Sequence, residues 1–372
     1  MDLKERMAAI DARIAARSAA AGNKPSPSGP VSATPPAPAA PPAAKRFSPA
    51  DGLADVAGVE RLRGFSLKKL FAEAFRRHAD ADVENCFSGG FASTTPSPAS
   101  LSGEWPTPWV FARCLVLSLL AYAGLDFGFA HFGNPKFLPG MIAVGSFAVP
   151  VATLLFFFEM NVWRNVSLYQ VVKMLFLGGV LSLVFAIFGF RSGPGGWLGS
   201  SLGASSAGVI EELAKLAALA CLADSARFGR SLNGLLLGAA VGAGFAAFES
   251  AGYAFEALLG GGGMALGVCR GVLFDRGVLS PFGHVAWTAI AGAAFWRAKR
   301  GSTSGFSAFF SWKFLRLFAV PVLLHMLWNS PWNPPFKLKF LLVGFVDWVV
   351  VFALVQEGMS ESRRASRAAR GA

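Results

Sequence analysis

FLPGMIAVGSFAVPVATLLFFF, residues 137–158, runs for 22 positions without an ionisable side chain. At 1.5 Å per residue, a helix of that length rises about 33 Å, enough to cross a hydrocarbon layer about 30 Å thick. Seven more apolar stretches lie on either side of it, at 109–131, 168–190, 197–223, 232–256, 277–296, 314–330 and 337–356. This pattern predicts an all-α fold: a polytopic membrane helix bundle of about eight transmembrane helices, with a cytosolic N-terminal extension. The stretch at 314–330 is short, and 264–274 reads as a candidate re-entrant or interfacial helix. No internal repeat is evident.

Composition agrees. The chain is 53% hydrophobic and 15% charged, against about 25% charged in soluble domains. Residues 1–107 hold 13 Lys or Arg and 11 Asp or Glu, so the charge is concentrated ahead of the apolar runs. The formal net charge of +12 does not point to nucleic acid, because no basic stripe interleaved with aromatics occurs. Loops flanking membrane helices explain it better. With eight crossings, one side of the bilayer holds Arg164, Lys173, Arg227, Arg230, Arg297, Lys299, Arg300, Lys313, Arg316, Arg363, Arg364, Arg367 and Arg370. The other holds Lys136, Arg191, Arg270, Arg276, Lys337 and Lys339. Positive charge is retained inside, so both termini are expected in the cytoplasm, with a bacterial inner (plasma) membrane as the expected location. Cys86, Cys114, Cys221 and Cys269 have no CxxC spacing, which argues against a zinc ribbon or a disulfide framework.

Three regions follow. Residues 1–107 form the cytosolic extension: an amphipathic helix over 1–22 (Leu3, Met7, Ile10, Ile14), a Pro/Ala-rich linker over 23–45, and a small helical segment over 47–90. In that segment Leu67, Leu70, Phe71 and Phe75 share a helical face flanked by Lys68, Lys69, Arg76 and Arg77. The face suits either an anionic membrane surface or packing within the segment. The N-terminus lacks the apolar core of a signal peptide, so the first membrane helix is expected to target the chain. Residues 108–356 are the transmembrane domain, and 357–372 a basic tail.

Charge at bilayer depth costs at least about 2.5–3.5 kcal/mol per group on insertion scales and usually marks function. Here it falls in four strings. Glu211-Glu212-Leu213-Ala214-Lys215 sets Lys215 one helical turn from both glutamates. Phe245-Ala246-Ala247-Phe248-Glu249 lies in a helix rich in small residues, whose neighbours can approach closely. His284-Val285-Ala286-Trp287-Thr288 and His325-Met326-Leu327-Trp328-Asn329 repeat an HxxW pattern and hold two of the four histidines. No Ser, Cys or Asp completes a nucleophilic triad at these places. Two chemistries fit. In one, Glu249, His284 and His325 bind Zn²⁺ while a glutamate of the Glu211–Glu212 pair activates water. In the other, Glu and His activate water directly, and His325 with Asn329 stabilises the oxyanion. Counting residues from the span ends places Glu211, Glu212, His284 and His325 near mid-membrane, with Glu249 deeper.

EExxK, FxxxE, HxxWT and HxxWN, in this order on successive helices, resemble the PrsW intramembrane protease family, distantly related to the CAAX-prenyl endopeptidase superfamily. The likeness spans roughly residues 108–356, with the motifs confined to 211–329. It implies an endopeptidase acting on a membrane-anchored protein, the family's best-known activity being cleavage of an anti-sigma factor. It implies a catalytic group of Glu211, Glu212, Glu249, His284 and His325, supported by Asn329. Ser250 departs from the Asn that often follows the glutamate. The family is labelled a metalloprotease, while its relatives are argued to work without metal. The rival reading is a transporter or sensor using the buried Glu and His as a proton relay; it lacks the repeated halves such proteins often show.

Overall fold

In the computed structural model, residues 48–371 are described except 261 and 301–306. The expected helix over 1–22 and linker over 23–45 lie outside the described residues. What is described is all helical. Three short helices lead: α1 (Pro49–Ala57), α2 (Leu67–Leu70) and α3 (Asp80–Phe87). The bundle then follows: α4 (Val110–Phe132), α5 (Phe137–Met160), α6 (Leu168–Arg191), α7 (Gly193–Leu202), α8 (Ser206–Leu222), α9 (Ser231–Gly260), α10 (Ala265–Leu279), α11 (His284–Arg300), α12 (Trp312–Asn329) and α13 (Leu338–Gly371).

The protein is an integral membrane helix bundle. Among the described residues six helical segments are long and apolar enough to cross a membrane: α4, α5, α6, α9, the α10–α11 pair, and α13 with the turn before it. Two stretches expected as spans are shorter or less apolar. Helix α8 has 17 residues and α12 has 18, and these carry three of the ionisable groups read from the sequence at depth, Glu211, Glu212 and His325.

Two expected spans are broken, each for a local reason. The stretch 197–223 divides into α7 and α8 at a 3-10 turn, Gly203–Ser205, where Gly203 has φ 56°. Side chains other than glycine rarely adopt that conformation, so the helix stops there. The stretch 277–296 is interrupted by the turn Ser280–Phe282, and a new helix begins at His284. Pro281 lacks an N–H and constrains the residue before it, which favours the interruption. The helix expected at 264–274 is α10, extending to Leu279.

Helix α9 is the axis of the bundle, with nearly all of its apolar length buried. Its small residues let α11 approach backbone to backbone. A Cβ at Gly238 would lie 2.2 Å from the Thr288 carbonyl oxygen, and one at Gly242 would lie 2.2 Å from that of His284. Glycine is therefore required where α9 meets the start of α11. The core around it draws on Leu235, Leu236, Val241, Ile290, Phe295 and Val351.

Residues 48–107 pack onto the bundle. Arg316 donates to Val56 O at 2.6 Å, Arg297 to Gly58 O at 3.0 Å, and Ser360 to Glu60 at 2.8 Å. The Glu159 carboxylate, at the end of α5, accepts the Trp109, Val110 and Phe111 amides at 2.7, 2.9 and 2.9 Å. It thereby caps the otherwise unpaired start of α4. The apolar face read around α2 is split. Leu70 is buried and Phe71 packs on Phe111 and Phe156, while Leu67 and Phe75 are exposed.

Candidate active site

The four polar strings meet in one place. Glu211 and Glu212 project from the first two turns of α8. Glu249 comes from α9, His284 is the first residue of α11, and His325 lies about one turn before the end of α12. Three of the strings thus sit near helix ends rather than halfway along spans. For two of them the cause is the pair of breaks at Gly203 and at Pro281–Gly283, which shorten the expected helices at their starts, while α12 keeps nearly its expected bounds and His325 lies close to its end.

Glu212 and Lys215 have no exposed surface. Lys215 Nζ lies 2.5 Å from Glu212 Oε1 and 2.9 Å from His284 Nδ1. The same Glu212 oxygen lies 2.8 Å from His325 Nδ1. An oxygen that already accepts from an ammonium is a carboxylate acceptor, so His325 Nδ1 carries the proton and donates. Its Nε2 is then left with a lone pair, 3.8 Å from Glu211 Oε2. A ring that donates one N–H to a carboxylate while offering its other nitrogen is the usual setting of a metal-ligating histidine. His284 and His325 are 5.0 Å apart by ring centroids, and the Trp287 indole stacks on His325 at 4.3 Å.

Glu249 faces the other side of His284, its Oε2 lying 3.1 Å from His284 Nε2. It also forms an ion pair with Arg276 of α10. Arg276 Nε in turn donates to Ser250 Oγ at 3.0 Å, so the serine after the glutamate helps fix the guanidinium.

A cavity of about 890 Å³ opens onto this cluster. Glu211, Glu249, His284, His325, Asn329 and Arg276 line it, while Glu212 lies behind His325, outside the lining. The zinc set expected from sequence was Glu249, His284 and His325. Among the described residues, Glu211, His284 and His325 offer donor atoms within 4.8 Å of one another. Glu249, ion-paired with Arg276 of α10, keeps its Oε2 3.1 Å from His284 Nε2. Glu211 Oε2 is buried without a hydrogen-bond partner, an orphaned acceptor that a cation would satisfy. One carboxylate and two imidazoles, with a cavity on the open side, form a donor set suited to a catalytic divalent ion.

Sequence reasoning missed two participants. Read in sequence, Arg276 is only a loop charge. Asp347 on α13 has no exposed surface and accepts from Trp287 Nε1 at 2.9 Å. A lone carboxylate inside LLVGFVDWVVVF, residues 341–352, satisfies the same charge-at-depth rule that found the four strings.

A sequence profile described as PrsW family intramembrane metalloprotease matches residues 167–355, just over half of the chain. The chain belongs to the PrsW family. No curated protein and no solved structure matches it. The PrsW match begins at the start of α6 and ends within α13, so it takes in every residue of the Glu/His cluster. The protein is therefore an intramembrane protease of the metalloprotease type, and its buried Glu211–His284–His325 group can coordinate a metal ion.

Proposed function

We propose that Glu211, His284 and His325 hold a zinc ion and that the enzyme hydrolyses a peptide bond of a membrane-anchored protein in the adjoining cavity. The observation that carries this reading is the convergence of those three donor atoms at the cavity wall, with Glu211 Oε2 otherwise unpaired. When bound, zinc supplies a Lewis acid that acidifies water and polarises a carbonyl.

The chain's own residues do the rest. Glu212 accepts from His325 Nδ1 and keeps Nε2 available for ligation. Lys215 neutralises Glu212 and fixes the His284 ring through Nδ1. With Lys215 donating to Nδ1, the His284 proton sits on Nε2. For that nitrogen to ligate, its proton would be released to the cavity while Nδ1 takes one from Lys215, which stays as an amine between Glu212 and the ring, and Glu249 remains ionised. Glu249 then serves as general base: it takes a proton from the attacking water as the C–O bond forms and returns it to the amine nitrogen as the C–N bond breaks. Asn329, on the cavity wall, donates to the oxygen that gains charge.

The resemblance and the loop charges support a bacterial inner-membrane enzyme with cytoplasmic termini, acting on an anti-sigma-factor-like regulator. The test uses the purified full-length chain in liposomes with a single-span reporter. Wild type is expected to cleave it and to retain about one equivalent of zinc. Glu212→Gln and His284→Ala should lose cleavage, with zinc affinity reduced about 10–100-fold for Glu212→Gln. Undiminished cleavage by His284→Ala would sink the proposal.

A further inference from the structure

Helix α13 carries none of the four polar strings, yet it buries a carboxylate beside the site. Asp347 is wholly unexposed. One oxygen accepts from the Trp287 indole at 2.9 Å, and the other, Oδ1, has no hydrogen-bond partner. A carboxyl group so placed, with a single bond to a neutral donor, is a costly way to satisfy one N–H. A residue serving bundle stability alone would be better replaced by an apolar side chain.

The position of Trp287 suggests what the carboxyl group does. The indole is 1% exposed and lies nearly parallel to the His325 ring, at 4.3 Å and 22°. It meets Trp328 edge-on at 5.6 Å and His284 edge-on at 5.1 Å. His325 is thus held at Nδ1 by Glu212 and on one face by the indole. Ring stacking alone leaves the indole free to turn in its own plane or to flip, whereas an N–H bonded to a fixed acceptor does not.

We propose that Asp347 is a positioning residue of the active site: by bonding Trp287 Nε1 it locks the indole against His325 and holds that ring aimed at Glu211 and the cavity. The line of action runs from α13 through α11 to α12, tying three helices to one imidazole. Its effect on metal binding rests on the ligand set proposed above; its effect on the ring does not.

The experiment uses the full chain, labelled with ¹⁵N-histidine. The chain has four histidines, so the His325 resonances are identified by their loss in His325→Gln. Asp347→Leu removes the acceptor, Trp287→Phe removes the donor while keeping an aromatic face, and Asp347→Asn retains an acceptor. Asp347→Leu and Trp287→Phe should shift or split the His325 ring resonances, and Asp347→Asn should leave them in place. With Co²⁺ as the probe, the first two should bind about tenfold more weakly, the lower end of the effect of removing a partner behind a ligand. Altered stability alone would leave the His325 signals of the folded protein where they are. Unmoved signals in Asp347→Leu, or Asp347→Asn behaving like Asp347→Leu, overturn the proposal. Should Asp347→Leu fail to fold, Trp287→Phe decides by the same criterion. Wild-type protein that binds no Co²⁺ refutes the ligand set, and the ¹⁵N signals still decide the role of Asp347.

Discussion

Gly242→Ala places one methyl group where α9 and α11 touch, and the structure sets the size of the consequence. The new Cβ would stand 2.2 Å from the His284 carbonyl oxygen and 2.9 Å from Thr288 Oγ1, where ordinary contact begins at 3.4 Å. The first obstacle is backbone and cannot rotate away, so the start of α11 has to retreat by about 1.2 Å, the difference between those distances. His284 is the first residue of that helix and moves with it. Active-site geometry tolerates about 0.5 Å, and a misplacement of about 1 Å can cost on the order of a hundredfold in rate. Overpacking should also destabilise the bundle by about 1–3 kcal/mol. The assay compares reporter cleavage, bound zinc and thermal unfolding in detergent for wild type, Gly242→Ala and Gly252→Ala. Gly252 lies on the same helix with nothing within 4 Å of its Cβ position, so its substitution should be neutral. Gly242→Ala with wild-type cleavage and zinc content would refute the claim that this glycine positions His284.

Arg276→Ala should free the Glu249 carboxylate and lower kcat more than KM, with Arg276→Lys restoring part of the loss. Steady-state kinetics on the reporter measure this, and a KM effect alone would make Arg276 a substrate contact instead. Burial, assisted by the Glu159 charge, pushes the Cys86 thiol up to about 12. Thiolate is the reactive form, so maleimide at pH 8 should label Cys86 at least about a hundredfold more slowly in the folded protein than in denaturant, as followed by mass spectrometry. Deleting residues 1–45 should leave cleavage largely intact, since the bonds from Val56, Gly58 and Glu60 to the bundle lie beyond the deletion; lost cleavage with an intact bundle would assign that stretch a catalytic or allosteric part.

The particular residues show which signals a linear reading can use. His284 and His325 stand out because two imidazoles recur in matching HxxW contexts alongside two carboxylate strings. Asp347 is equally conspicuous in its run but has no partner string. Arg276 carried no local signal, because its importance lies entirely in reaching Glu249 on another helix. The break at Gly203 lies within Ser-Ser-Leu-Gly-Ala-Ser-Ser, residues 200–206, whose lack of charge lets it pass for part of one continuous span. The short helix then packs on α12, where a Cβ at Gly208 would lie 2.6 Å from Met326 N.

The amino-acid sequence by itself determined that this chain is a helical membrane bundle, since water-free surroundings force every backbone group in an apolar run into helix. It also determined which polar side chains are candidates for chemistry, because burying them in such runs is costly. The tertiary structure alone decided the division of labour: Glu211 with the two histidines, Glu212 behind His325, and Glu249 turned to Arg276. Adjacent glutamates on one helix point about 100° apart. Which of them faces a cavity and which is sealed against a lysine depends on the helices packed around them, and no property of the two residues read in order carries that information.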